Sequence, residues 1–499
     1  MEIALLLSLG LFFVISLLIY RLYFHPLSHI PGPPLAKITY LYEWYYDLYK
    51  GGQFTFKLPD LHRKYGPVIR INPNEIHIDD PYFFDQVFNQ TNGRAEKPIG
   101  TAEAFGPYSS SLATQHHDLH RVRRSALNPF FSKKSVNDLV PVMWKPIYML
   151  LDRLRNASQT GEVMNMKYFY AAVTLDIINS YCFAREPVVV NVPDFGRESV
   201  DNIDSFLRVS LLNIHFPWVL RFTTSLPDRV NRILSPKTVN LLNARRALAN
   251  QTEAIRNGKD TSYEKASHKT VIHELLNSKL PPRELERDRI RDEAFSLISA
   301  GSGTSAFVVR NTAYHIAANK EIRKKLYEEL VEAIPDTTSP PDLITLEKLP
   351  YLTAVVQEGL RLSDPIAHRI SRQFPDKTLE CQGIVIPANT NLGMTAVLTH
   401  QNEELFPEPK TFRPERWLGA EGKRLDKFLV VFNRGTRSCV GMNLARAEVY
   451  MIIAAVFREF DFDVSAVKRE RDIDVSRDYI LGMQALDSPG ILVTVKEYS

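Results

Sequence analysis

From Ile3 to Tyr20 apolar residues follow one another without a charge, IALLLSLGLFFVISLLIY, before Arg21 ends the run. Eighteen residues at 1.5 Å each make a helix of roughly 27 Å, enough to cross a thin bilayer. A cleaved leader would begin with basic residues and end in a small-x-small site; here Glu2 is acidic and no such site follows. Arg21 and Lys37 lie after the span, which favours keeping the rest of the chain on the cytosolic side. The sequons at Asn89, Asn156 and Asn250 would then never meet the glycosylation machinery. Residues 1–24 are expected to form a retained single-span anchor. The segment IPGPPLAK follows, with three prolines in four positions, so residues 25–40 read as a stiff proline-rich hinge.

Beyond it the period changes. Helical spacing of apolar positions predicts helices over Leu139 to Arg155, Thr174 to Cys182, Thr238 to Arg256 and Asn443 to Phe460. A longer one runs from Glu284 to Glu329 with an interruption near Asn319. Short alternating runs predict strands at Val68 to Ile71 and Glu75 to Ile78, joined by Asn72-Pro73-Asn74. Another pair falls at Leu379 to Cys381 and Ile384 to Ile386, and a last strand at Ile491 to Val495. The pattern is mainly helical with small sheets, an α+β fold rather than a doubly wound core. Residues 41–499 are expected to be one catalytic domain.

Composition narrows the picture. The chain has 499 residues, 44% of them hydrophobic and 24% charged, so a disordered or fibrous chain is excluded. Lys and Arg exceed Asp and Glu by 61 − 57 = 4, too little to imply a nucleic-acid partner. Three widely spaced cysteines, Cys182, Cys381 and Cys439, make neither a disulfide framework nor a zinc pair.

One of the three stands apart. Cys439 lies in Phe432-Asn433-Arg434-Gly435-Thr436-Arg437-Ser438-Cys439-Val440-Gly441, ahead of the helical Asn443-Leu444-Ala445-Arg446. A tight loop there presents a thiol at a helix N-terminus, where amide N–H groups and Arg437 favour the thiolate. Upstream, Glu358 and Arg361 share a helix face one turn apart and can form a bidentate bridge. Gly301 and Gly303 weaken the long predicted helix by about 1 kcal/mol each, a defect that a flat ligand against the backbone would explain.

The FxxGxRxCxG loop resembles the haem-binding loop of the cytochrome P450 superfamily, the haem-thiolate monooxygenases. The order of Glu358-x-x-Arg361, then Phe412-Arg413-Pro414-Glu415-Arg416-Trp417, then the cysteine loop is similar over essentially the whole chain. The resemblance implies that fold, with haem b as cofactor and Cys439 as the axial ligand of its iron. Phe432 and Gly441 would belong to the cofactor loop. Arg416 would join Glu358 and Arg361 in a structural triad. His120, Arg124, Arg369 and Arg437 would meet the haem propionates, for which arginine's fork is suited. Ala300, Gly303 and Thr304 match the oxygen-activating segment. Gly303 stands where an acid is usual, which puts the proton relay in question, and Glu293 is too far along the helix to replace it.

An axial thiolate favours O–O cleavage, so the implied reaction is hydroxylation or epoxidation with dioxygen. No dinucleotide or iron–sulfur fingerprint is present, so electrons would come from NADPH through a separate NADPH-cytochrome P450 reductase, with cytochrome b5 as a second donor. Lys423, Arg424, Lys427 and Arg434 are candidates for the docking face. Pocket segments implied by the family, Phe105 to Tyr108, Phe295 to Ser299, Pro365 to His368 and Leu481 to Met483, are mostly apolar and fit a lipophilic substrate. The style of Lys64 to Pro81 and Asp118 to Ser132 is similar to fungal secondary-metabolism members of the trichodiene-oxygenase type, which implies a terpenoid or polyketide. The implied location is the endoplasmic reticulum membrane, with the catalytic domain cytosolic. The alternative, favoured by Gly303, is a haem-thiolate isomerase or dehydratase working without external dioxygen.

Overall fold

The computed structural model describes residues 2–498 except 90–92, 105 and 235. The apolar run forms helix Glu2–Ile19 and continues as a wider π-helical turn, Tyr20–Phe24. An 18-residue stretch of Glu2–Phe24 has a mean hydropathy of 2.7, and none of it is buried against the other described residues. Its apolar surface is therefore left for a solvent other than water.

The proline-rich segment is not a free-standing elbow. Pro34 opens a short helix, Pro34–Ile38, at the position where a missing N–H costs nothing. The Pro31 carbonyl accepts from the Arg70 amide at 2.7 Å, and the Arg70 guanidinium donates to the carbonyls of Arg21 and Pro73 at 2.9 and 2.8 Å. The segment is thus clamped onto strand Val68–Asn72 by a buried arginine.

The body is helical, as the periodicity predicts. Helix Lys133–Thr160 packs on Met166–Phe183 and on Met442–Glu459, and Met166–Phe183 lies along the central helix Arg287–Ala317. Pro350–Ser363 and Met442–Glu459 pack on the central helix from other directions. The expected interruption near Asn319 has a local cause: its side chain caps the next helix, Lys320–Ala333, by accepting from the amides of Glu321 and Ile322. One large apolar core runs through these elements, with Leu139, Phe169, Ile177, Val309, Val355 and Ile452 buried in it.

The strands gather into small sheets. Val68–Asn72 pairs with Glu75–Ile78 through the expected turn. Glu75–Ile78 then pairs in parallel with Asn391–Met394, which pairs antiparallel with Ile370–Gln373, giving a four-stranded sheet. The last two strands lie more than 290 residues from the first pair, and no local pattern announced them. Leu379–Cys381 and Ile384–Ile386 form their own hairpin, while Leu492–Glu497 joins Val163–Asn165 and Phe460–Asp463.

Candidate active site

The Cys439 loop is a set of short backbone bonds. Asn433 N donates to Val430 O at 2.8 Å, Ser438 N to Gly435 O at 3.1 Å, and Cys439 N to Phe432 O at 2.9 Å. Gly435 has φ +70°, and a Cβ there would meet the Phe88 carbonyl oxygen at 2.1 Å. Only glycine fits. The loop ends at Gly441, which caps helix Met442–Glu459. Phe432 is half-buried beside Arg446, whose guanidinium lies 5.5 Å from its ring.

The three thiols differ in a way their spacing could not show. Cys182 and Cys381 are packed in the core, and burial pushes each up to about 12. Cys439 also lies deep in the fold, yet it is exposed to open space. Burial raises its thiol, opposed by the Gly441 N–H and by Arg124. The expectation that the helix end and Arg437 favour the thiolate needs correcting. Burial outweighs the helix end in the bare protein, and Arg124 is the cation that acts on the sulfur. A soft metal ion that binds thiolate would supply what the fold leaves wanting.

The central helix, continuous from Arg287 to Ala317, also carries an open stretch. Ala300 is exposed although the helix is otherwise largely buried, and an added Cβ at Gly303 would meet nothing within 4 Å. The Thr304 hydroxyl donates to the Ala300 carbonyl at 2.9 Å, so its lone pairs remain free. Gly301 has a different reason from the one expected: a Cβ there would meet Ile178 at 2.9 Å, so it serves close packing of two helices. From the same neighbour, Thr174 donates to the Ser302 carbonyl at 2.5 Å. Glu293 is engaged elsewhere, accepting from the amide and hydroxyl of Ser111 and pairing with Arg289.

Glu358, Arg361 and Arg416 come together, all buried. Arg361 makes a bidentate bridge to Glu358 at 2.9 and 2.8 Å, and Arg416 Nε donates to Glu358 Oε1 at 3.1 Å. Two further donors, Trp417 Nε1 at 2.8 Å and the Arg413 amide at 2.9 Å, saturate the carboxylate. Arg361 also donates to the His400 carbonyl at 2.8 Å. His400 in turn bonds Asp364 at 2.8 Å through Nδ1, and its Nε2 accepts from the Val430 amide at 3.1 Å. The triad therefore reaches the cysteine loop through His400, a residue without any local sequence signal.

The expected arginines divide. Arg437 donates to the carbonyls of Thr114 and Gln115 at 2.7 and 2.6 Å, and its Nε is buried without a partner among the described residues. His120 is buried, and desolvation with the charges of Arg437, Lys97, Arg124 and Arg372 drives it far below the usual histidine range. Arg124 donates to Asn128 at 2.7 Å. Arg369 is not part of this group. It donates to Glu75 at 3.0 and 2.9 Å and pairs with Glu43, all three buried. The cationic place belongs to Arg372, which packs 5.1 Å over the Phe88 ring and feels Arg437. The reason is strand alternation. Arg369 and Ser371, two residues apart, both touch Glu75, whereas Arg372 points to the other face.

Lys97 completes the cluster, donating to the Leu112 carbonyl at 2.5 Å. Burial and the neighbouring cations bring Lys97 down to about 7 and Arg372 to about 9. Burial also brings Arg437 to about 10, offset by Glu96, whose own carboxylate binds His116. Lys97 and Arg372 are depressed by neighbouring cations, and neither pairs with a carboxylate among the described residues. An exposed deep thiol, an open helix face and uncompensated buried positive charge together fit a flat dianionic ligand carrying a metal that accepts sulfur.

Of the expected pocket segments, Phe105 lies outside the described residues. Phe295, Ile298 and Ser299 line the central helix next to Ala300, half-buried. The Ile366 and Leu481 backbones pair in an isolated bridge that joins two of the segments. On the candidate docking face Arg434 is bound to Asp85 at 2.6 Å and Arg424 to Glu421 at 2.6 Å, while Lys423 is exposed.

Residues 31–487 match the family described as Cytochrome P450. The chain is 38% identical over 494 residues, 96% of both chains, to Cytochrome P450 monooxygenase MO6277 of Ascocoryne sarcoides. It is 35% identical to the tryptophan 6-hydroxylase fscE of Fusarium equiseti, covering 96% of this chain and 94% of that one. Conidiogenone synthase PchP450 of Penicillium rubens is 36% identical, covering 98% and 99%.

Proposed function

Since the chain belongs to the cytochrome P450 family and is a monooxygenase of the fungal secondary-metabolism kind, we propose that it hydroxylates or epoxidises a lipophilic metabolite, a terpenoid or polyketide, using NADPH through a separate reductase. The observation that carries the reading is the juxtaposition of an exposed deep thiol with an anion-deficient cationic cluster. Cys439 would hold the iron, and Phe432 and Gly441 would shape its loop. Arg372, Arg437, Lys97, His120 and Arg124 would hold the two propionates of haem b. When bound, the haem supplies activation of dioxygen and insertion of one oxygen atom into a C–H or C=C bond.

The chain's own part is binding and proton handling. Thr304 Oγ1 is oriented by its bond to Ala300 and can accept from a water over the open face. Gly303 contributes no acid, and Glu293 is committed to Ser111 and Arg289, so delivery rests on Thr304 and the water it holds. The name of one relative, a tryptophan 6-hydroxylase, supports hydroxylation of a metabolite. The anchor Glu2–Phe24 supports a single span in the endoplasmic reticulum membrane with the catalytic domain cytosolic.

The test is spectroscopic. Cys439→Ala should lose the red-shifted Soret band of the ferrous carbonyl complex, while C182A and C381A keep it; retention in C439A overturns the assignment. Turnover should require both NADPH and dioxygen. Full turnover without them would favour the isomerase or dehydratase reading that Gly303 suggests.

A further inference from the structure

Two turns before Ala300, the central helix carries adjacent buried carboxylates, Asp292 and Glu293. Asp292 Oδ1 accepts from Arg245 of helix Pro236–Arg256 at 2.7 Å and from Arg291 Nη2 and Nε at 2.9 and 3.0 Å. Its other oxygen, Oδ2, accepts from the Ser109 amide at 3.1 Å. One carboxylate thus holds two separate segments, the loop 107–115 and helix Pro236–Arg256. Glu293 reinforces the loop at Ser111. The loop's far end, Thr114 and Gln115, is held by Arg437 of the cysteine loop. Both segments therefore sit over the part of the central helix that leads to its open face.

We infer that Asp292 is a positioning residue that fastens two segments to the central helix ahead of its open face, so that the loop 107–115 and helix Pro236–Arg256 loosen together. The physical basis is the sharing of one group. Arg245 and Arg291 fix the plane of the carboxylate, and that plane presents Oδ2 to the Ser109 N–H. Charge-assisted bonds of this kind are about twice as strong as neutral ones, and the carboxylate that accepts them is buried. Releasing one side lets the carboxylate turn away from the other. The consequence for substrate entry rests on reading the Ala300 face as the substrate pocket; the mechanical coupling does not.

Hydrogen exchange on the full-length haem-loaded protein separates the two. Asp292→Asn should speed exchange about tenfold in both 107–115 and 236–256, the scale set by one lost charge-assisted bond, with 442–459 unchanged. Arg245→Met, which leaves Asp292 in place, should speed 236–256 strongly and 107–115 to a lesser degree. The exposed pair Arg246–Asp228 supplies a control, since D228N should leave 107–115 unchanged. Faster exchange in only one segment of D292N, or an unchanged 107–115 in R245M, overturns the coupling. R245M carries the test alone if D292N does not accumulate. For access, the probe is 4-phenylimidazole, whose association with haem should be several-fold faster in D292N while the ferrous carbonyl band stays in place. Faster exchange with unchanged association would overturn the role in access. Loss of the carbonyl band in the unmutated protein would instead overturn the haem reading.

Discussion

Two charged clusters are buried within reach of the Cys439 loop, and they are built on opposite principles. Around Glu358, Arg361 and Arg416 every carboxylate oxygen is saturated, and the arginines spend their remaining donors on backbone carbonyls such as those of His400 and Pro407. Around Arg437, Lys97 and Arg372 like charges face one another, and Arg437 Nε has no partner among the described residues. A buried charge set that closes on itself is scaffold, because it asks nothing of a ligand. One left with surplus charge is a receptor, since desolvated cations are costly until an anion arrives. Arg369 belongs with the first kind by its charge, which Glu43 and Glu75 meet directly, although its Nη1 also lacks a partner among the described residues. Although burial alone would raise Glu75, Arg369 and its other partners bring it down to about 2.

The contrast can be broken most forcefully at the closed networks. E358A leaves Arg361 and Arg416 unpaired in the core and should cost roughly 3–5 kcal/mol, as should R369M, which strands Glu43 and Glu75. Chemical denaturation of both variants measures this. A loss below about 1 kcal/mol in either would show that its network does not act as scaffold.

A smaller effect comes from a third buried polar set, which carries no charge at all. His62 Nδ1 donates to the Gly66 carbonyl at 2.9 Å, its Nε2 meets His77 Nδ1 at 2.7 Å, and His77 Nε2 meets Thr395 at 2.8 Å. Each ring can be neutral in one tautomer only. Burial lowers His62 to about 4, so between pH 6.5 and 4 the unfolded chain binds a proton that the folded chain refuses. Stability therefore falls as pH drops through that window, by on the order of 3 kcal/mol in all. Melting temperatures of the protein and of H62Q against pH check it, the slope over this window being shallower in H62Q.

The smallest effect, and the sharpest for the contrast, is at Arg372. R372M should weaken haem retention about tenfold, the worth of a charge-assisted contact, while leaving the haem-free protein as stable as before or more so. Haem transfer to an acceptor protein and melting of the haem-free chain give the two readings. R372M that melts lower without its cofactor would place Arg372 with the scaffold.

Much of this was legible along the chain because it is local. The helix limits near Asn319 and Arg256, the turn at Asn72-Pro73-Asn74 and the glycine-bounded loop before Met442 depend on contacts within a few residues. So does the Glu358–Arg361 pair, one helical turn apart. These are matters of periodicity, capping and backbone freedom, which neighbouring residues decide. The tertiary structure decided the rest. The choice between Arg369 and Arg372 depends on which face of strand Ile370–Gln373 meets Glu75, and that face is set by pairing with Asn391–Met394 and, through it, with a strand some 300 residues away. Lys97, His400 and Asp292 look like any other charged or polar residue in the sequence. They acquire a role only because the chain brings Leu112, Val430 and Ser109 to them. Local propensity is a property of a residue and its neighbours, but the balance of buried charge belongs to the assembled fold, because desolvation and distance exist only once distant segments have packed.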